Sequence, residues 1–298
     1  MNAAEARIRL GEAVRQYSAG NSGEAETLCS SVISGLPRNG EGQEELIEAY
    51  EGLIEIRTGE GRSARALRVF RQYVGDCAPK CDPAYDQIYL DGLLTTRTSP
   101  VPLNRRQRFY SLVQLFRRTA PMEGLVAECG CFRGLSSFLL CSALKLADGA
   151  FDGRGYRIFD SFQGLSAPRP EDTIEGSGPQ AERLRQETQA GQFAASLEEV
   201  KAALRGFPRI EFFPGWIPGA FPDEPDACYR FVHLDVDVYQ PTRDSLEYFF
   251  PKVVPGGIIV CDDFGWPGAR KAVEEFCVRI GASFETTPHL QAYIVRRT

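Results

Sequence analysis

The sequence predicts an α/β protein: a doubly wound sheet preceded by a helical N-terminal extension. Three observations carry that expectation. From Leu125 onward, short apolar runs alternate with helical segments, the pattern of strands joined by crossover helices. Two of those runs, within Arg230–Tyr239 and Ile258–Phe264, end in acids: Asp235 and Asp237 after the first, Asp262 and Asp263 after the second. Upstream, residues 1–76 show helical periodicity and no strand. Open parallel sheets bind ligands beyond the carboxyl ends of their strands. Four carboxylates in one crevice repel one another unless a cation or a proton settles them. The two strand ends therefore form a candidate hard-metal site.

The N-terminal residues 1–76 form the first expected region. Gly20, Ala25, Cys29, Val32 and Pro37 fall at the small, small, large, apolar and proline positions of a tetratricopeptide-like helix-turn-helix. Gly61, Ala66, Phe70 and Tyr73 repeat the offsets. The copies lie about 41 residues apart, against about 34 for that repeat. They read as a helical cap or, alternatively, a peptide-binding module; an apolar helical surface there makes a homodimer an expectation. Residues 77–120 follow as linker and helices, with prolines in Asp76–Pro83 and near Thr98–Pro102 interrupting helical periodicity. Residues 121–298 form the expected α/β domain. Its strands are expected at Leu125–Cys129, Tyr156–Asp160, Ile210–Phe213, Phe231–Asp235, Ile258–Asp262 and Ala292–Arg296. Helices are expected at Leu135–Leu146, after Ser196, at Thr242–Phe250 and over 267–280. Ser196 with Glu199 forms a capping box. Residues 161–192 carry Gly, Pro, Ser and charge without a period, as an active-site lid does.

Composition limits the function classes. The chain has 298 residues, 43% hydrophobic and 25% charged, with a net charge of −6. That balance offers no global basic field for nucleic acid or an anionic membrane, so neither is an expected partner. No apolar run approaches the roughly 18 residues of a membrane span. The start, Met1–Tyr17, lacks the apolar stretch of a secretion signal, and the chain reads as cytoplasmic. The nine cysteines are odd in number, and Cys129, Cys131 and Cys261 sit in apolar runs, as small buried hydrophobes do. Cys77 and Cys81 have no second pair at zinc-site spacing. With two histidines in all, His233 and His289, a metal here must be held mainly by oxygen, which favours magnesium, calcium or manganese.

Leu125–Gly134 reads as a strand, a sharp turn and a helix start. Gly130 and Gly134 allow close backbone approach, but Phe132 and Arg133 break the dinucleotide glycine fingerprint. Glu128 is a carboxylate at the end of an apolar strand, which costs energy unless paired. Asp160 ends the next strand, where an acid accepts hydrogen bonds from ribose hydroxyls. Both acids with a glycine turn suit S-adenosylmethionine, a cationic donor without phosphates, better than a nicotinamide dinucleotide.

Six segments occur in one order: Glu128–Ser136, Asp160–Leu165, Ser196–Val200, Pro214–Trp216, His233–Tyr239 and Pro255–Phe264. Together they resemble the macrocin and mycinamicin sugar O-methyltransferase family, class I methyltransferases, over roughly residues 94–296. The resemblance implies a seven-stranded Rossmann-like methyltransferase sheet, S-adenosylmethionine as donor, Mg²⁺, and a small hydroxylated acceptor such as a sugar or glycoside. It implies that Glu128, Gly130, Arg133, Ser136, Asp160, Ser161, Gln163, Trp216 and Asp235 lie at the donor, and that Asp235, Asp262 and Asp263 ligate the metal. Related magnesium-dependent catechol-type enzymes place a lysine base three residues after the first metal acid. Here that position is Val238, so Asp235 and Asp237 are the catalytic candidates, with Asp237 as base or outer metal partner. His233 shares the Asp235 side of the strand by alternation, although a satisfied core histidine is the plainer reading. His289 lies near the last strand, and Phe162, Trp216, Trp266 and Tyr239 are aromatic candidates for covering a ligand. Two other readings stand beside this one: a metal-independent N-methyl or aminopropyl transferase on the same fold, and a non-catalytic donor-binding partner protein.

Overall fold

The computed structural model describes residues 1–176, 182, 185–186 and 188–297. Part of the expected lid, residues 177–181, 183–184 and 187, lies outside the described residues. The chain divides into two compact units, Met1–Asp86 with Ser99–Gln107, and Gln87–Thr98 with Arg108–Thr298. Among the described residues, no helix is long and apolar enough to cross a membrane.

The first unit is built from α1 (Ala3–Ser18), α2 (Ser22–Gly35), α3 (Gln43–Gly59) and α4 (Ser63–Asp76). Asn2 and Glu5 close a capping box at the start of α1, satisfying two amides that the first turn leaves free. Gly20 and Gly61 both adopt a left-handed φ, +84° and +72°, and each turns the chain from one helix into the next. Ala25, Cys29 and Val32 on α2 are buried, and so are Ala66, Phe70 and Tyr73 on α4. The small residues let neighbouring helices approach. The Tyr50 hydroxyl donates to Asp76 at 2.6 Å, tying α3 to the end of α4.

Helices α5 (Pro83–Thr96) and α6 (Arg105–Arg118) precede the sheet. The sheet then runs β1 (Leu125–Cys129), α7 (Leu135–Ala147), β2 (Tyr156–Asp160), α8 (Leu197–Ala203), β3 (Glu211–Pro214), β4 (Tyr229–Leu234), α9 (Tyr239–Phe249), β5 (Val253–Cys261), α10 (Pro267–Ile280), β6 (Glu285–Thr286) and β7 (Ala292–Val295). Seven strands stand in the order β3-β2-β1-β4-β5-β7-β6. The first five are parallel, and β7 is antiparallel to both neighbours. The β6–β7 connection is too short for a crossover, which takes a dozen or more residues, so β7 returns as a hairpin arm. The order reverses between β1 and β4. That switch point is where a doubly wound sheet opens a ligand crevice.

Strands β1, β4 and the end of β5 are buried, and Ala127, Val232, Leu234, Ile259 and Cys261 pack with Phe249, Val273 and Phe276 in the core. Several boundaries shift from the sequence expectation for identifiable reasons. The strand expected to begin at Ile258 begins at Val253, because Gly256 at φ +83° forms a bulge that the apolar alternation does not reveal. The helix expected from Thr242 begins at Tyr239, because Asp172 accepts the Tyr239 amide at 2.7 Å and caps it from a distant segment. The capping box at Ser196 and Glu199 is present, with the Ser196 amide donating to Glu199 at 2.9 Å.

Candidate active site

The carboxyl ends of β1, β2, β4 and β5 bring the candidate residues into two adjoining groups. On the first side, the Gly130 turn has φ +79°, and a Cβ at this position would run into the Asp235 carbonyl oxygen. The glycine is therefore required by the approach of β4 as well as by the turn itself. The Gly130 amide donates to Phe159 O at 2.9 Å and the Asp235 amide to Cys129 O at 2.8 Å, carrying the ladder past the strand ends. Gly134, at φ +84°, is the N-cap of α7.

Asp160 is held by backbone. One carboxylate oxygen accepts the Cys131 amide at 2.7 Å and the other accepts the Phe162 amide at 2.7 Å. A carboxylate has about four acceptor positions, so capacity remains for a ligand's hydroxyls. The turn that follows is built by its own residues. The Gln163 amide donates to Ser161 Oγ at 3.0 Å, and that hydroxyl donates to Gly164 O at 2.9 Å. Phe162 and Gly164 take left-handed φ values. Gln163 is exposed, Ser136 is buried, and exposed Arg133 donates to Arg97 O at 2.8 Å. Trp216 is 44% exposed in the loop after β3, free on one face to cover a ring.

Glu128 does not reach the crevice surface. It is fully buried, and its carboxylate receives Ser137 Oγ, Tyr156 Oη at 2.8 Å and the His233 ring at 3.0 Å. The pairing follows from register: Glu128 stands opposite His233 on β4, so their side chains share a face. His233 Nε2 lies 3.5 Å from Asp262 Oδ1. Burial opposes a charged ring, yet the carboxylates of Asp262 and Glu128 raise the His233 pKa to about 10. His233 is thus a buried link between Glu128 and the second group.

That second group contains Asp235, Asp237, Asp262 and Asp263. Asp235 and Asp237 are partly exposed; Asp262 and Asp263 are buried. Burial and the charge of Asp262 push Asp235 up to about 6. Burial and the charge of Asp235 push Asp237 up to about 7. Asp263 is raised well above the carboxylate range by burial and the same neighbours. Asp262 goes the other way: burial works against it, but Arg108 and His233 hold it down to about 2. Gln291, fully buried beside β7, also donates to Asp262 Oδ1. Asp237 sits at φ +59°, and its amide donates to Asp263 at 2.9 Å. His289 is partly buried in the same closing loop, and burial lowers its pKa.

Three buried atoms here lack an aligned hydrogen bond: His233 Nε2, Arg108 Nε and Asp262 Oδ2, the last of which is ion-paired with Arg108. Among the described residues, His233, Asp235 and Asp262 each offer a ligand atom within 4.8 Å of the others. Crowded carboxylates that repel one another fit a hard divalent cation. The geometric trio includes His233, whereas Asp263, from the expected trio, turns one oxygen to the Asp237 amide. Arg108 and Gln291 belong to the site and were not expected; they enter it from α6 and from the loop before β7, where no local motif marks them.

A family model described as macrocin O-methyltransferase matches residues 103–283. The chain is 31% identical over 166 residues to the 8-demethyl-8-(2,3-dimethoxy-alpha-L-rhamnosyl)-tetracenomycin-C 4'-O-methyltransferase of Streptomyces olivaceus, a match spanning 54% of this chain and 61% of the relative. It is 33% identical over 174 residues to the mycinamicin III 3''-O-methyltransferase of Micromonospora griseorubida, spanning 55% of this chain and 64% of the relative. The chain thus spans about three fifths of the length of the curated relatives it matches. Among solved structures, the O-methyltransferase NovP superposes with a TM-score of 0.52 at 25% identity, covering 65% of this chain and 81% of that one. The calicheamicin methyltransferase CalS11 shares the fold, with a TM-score of 0.50 at 18% identity over 73% of this chain and 94% of that one.

Proposed function

The chain belongs to the macrocin O-methyltransferase family, and from that premise we propose that it transfers a methyl group from S-adenosylmethionine to a hydroxyl of a sugar or glycoside. The observation that carries the reading is the meeting of two strand ends at the switch point. The Asp235 backbone closes against Gly130 on the donor side, and the Asp235 side chain joins Asp262 on the acid side. The tetracenomycin relative acts, by its name, on a rhamnosyl-bearing compound, and the mycinamicin relative on mycinamicin III. The substrate class proposed here follows theirs.

In this reading Asp160 holds the donor's ribose with the lone pairs its two amide contacts leave. Trp216, half-exposed after β3, would cover one side of the donor. The donor, when bound, supplies a methyl group on a positively charged sulfur, which needs no acid or nucleophile from the protein. Asp235 and Asp262 would hold a magnesium ion, with Asp263 as the third ligand through the oxygen not taken by the Asp237 amide; His233, charged and so without a free lone pair, faces Asp262 Oδ1, to which Gln291 donates. Such an ion, when bound, acidifies a hydroxyl that chelates it, and a vicinal diol suits that role. Asp237, two residues beyond Asp235 at the same strand end, would take the hydroxyl proton. The site's remaining contribution is positioning: a hydroxyl held in line with the sulfur gains much of its rate from orientation alone.

Calorimetric titration of the full chain with S-adenosylmethionine, followed by mass spectrometry of methylated glycosides, tests the reading. Donor binding and a mass gain of one methyl on a hydroxyl are expected. No donor binding at millimolar concentration would overturn it. Undiminished turnover in chelator would remove the metal from it.

A further inference from the structure

We propose that Arg108 is a built-in counter-cation of the acid cluster. It holds Asp262 in place before a divalent ion is seated and competes with that ion for the same carboxylate. The inference rests on the metal half of the function proposed above.

Arg108 reaches from α6 into the cluster. Its Nη2 is paired with Asp262 Oδ2 and lies 3.7 Å from Asp235 Oδ1. The opposite oxygen of Asp262 is already fixed by Gln291 and faces His233. The guanidinium therefore occupies the Asp262 oxygen that Gln291 leaves free, beside Asp235. A metal ion shared by Asp235 and Asp262 through that oxygen would displace it.

The quality of the seat points the same way. A guanidinium held firmly in place commonly spends several of its N–H donors on its partners. Arg106, two residues earlier in sequence, does so: Nε and Nη2 both donate to Asp86 Oδ1, Nε at 2.9 Å, and Nη1 donates to Pro79 O at 2.9 Å. Arg108 has one nitrogen on Asp262, and its buried Nε has no hydrogen-bond partner. A buried donor without a partner lowers the stability of its own position. Arg108 is thus attracted by the charge of the cluster while making a poor directional bond, as suits an occupant that must leave.

Two consequences follow. Without metal, Arg108 offsets part of the carboxylate repulsion and keeps the ligand set assembled. With metal, its positive charge opposes the ion, so affinity is set by exchange between the two cations.

The test uses Mn²⁺ as probe, with free Mn²⁺ read by electron paramagnetic resonance against the full-length chain, wild type, Arg108→Met, Arg108→Lys and Asp262→Asn. Arg108→Met should bind Mn²⁺ more tightly, on the order of tenfold, within the usual range for coupled sites. Arg108→Lys should fall between it and wild type, and Asp262→Asn should bind far more weakly. In chelator, Arg108→Met should melt at a lower temperature than wild type and recover when Mn²⁺ is added. Equal or weaker Mn²⁺ binding by Arg108→Met would overturn the inference while leaving the proposed methyl transfer intact. If Arg108→Met does not fold, Arg108→Lys decides: binding no tighter than wild type overturns the proposal. Absence of Mn²⁺ binding in every variant, with S-adenosylmethionine still bound, would overturn both the metal role and this inference.

Discussion

The two halves of the site solve the problem of buried charge in opposite ways. At the ends of β1 and β2, Asp160 and Glu128 are met by donors: two backbone amides for the first, and Ser137, Tyr156 and His233 for the second. At the ends of β4 and β5, four carboxylates stand together, and three of them are raised in pKa by burial and by one another. The first half is organised before any ligand arrives. The second is organised around a positive charge that Arg108 supplies in part. Preorganised hydrogen bonds hold a ligand at little cost, whereas repulsion among carboxylates is released when a cation or a proton enters.

The contrast can be broken most forcefully at Asp237. Asp237→Asn should lower kcat by about 10²–10⁴-fold, the range for a general base, while donor affinity measured by calorimetry stays unchanged. A parallel loss of donor affinity would show that the halves are not separable. Gln291→Leu removes a donor behind Asp262. It should weaken Mn²⁺ binding by about 10–100-fold, as loss of an outer-sphere partner does, and leave S-adenosylmethionine binding alone. Asp160→Asn is the mirror experiment. It should cost donor affinity about tenfold, the loss of a charge-assisted hydrogen bond, with Mn²⁺ affinity retained.

The smallest effect is in pH. Asp235 and Asp237 have folded pKa values raised to about 6 and about 7. Folding therefore takes up protons on them. The stabilising protonated form is complete below the ordinary value near 3.8 and is lost as pH rises through 6 and 7. The melting temperature of the metal-free chain should fall between pH 5 and pH 8 from this cause, by roughly 2–4 °C for each kcal/mol lost. Added Mn²⁺ should stabilise more at pH 8 than at pH 5. Scanning calorimetry at the two values, with and without the ion, reads both signs.

Much of this arrangement is legible in the sequence, for a local reason. Strand alternation places His233 and Asp235 on one side, and the two apolar runs announce that their terminal acids sit at strand ends. The capping box at Ser196 and Glu199 is a four-residue pattern and needs no tertiary information. What is not legible arrives from far along the chain. Arg108 reads as one of several arginines on α6, and Gln291 as an ordinary polar residue near the last strand; only the fold brings both to Asp262. Glu128 reads as a ligand-facing acid because its partners, Ser137 and Tyr156, are 9 and 28 residues away. The reversed direction of β7 depends on a short return loop rather than on any feature of the strand itself.

The segment after Asp160 leaves and rejoins the sheet through a narrow clasp. The Leu165 amide donates to Gln192 O at 2.9 Å, and the Gly191 amide donates to Leu165 O at 2.9 Å. Gly164 lies so close to Gln192 O that a Cβ would collide with it. Both ends of the excursion are thus pinned at one point, and loop-closure entropy grows only slowly with the length between them. The excursion is in effect a strap: pinned between Leu165 and Gln192 and again at Asp172, which accepts the Tyr239 amide, it ties the Asp160 turn to the start of α9.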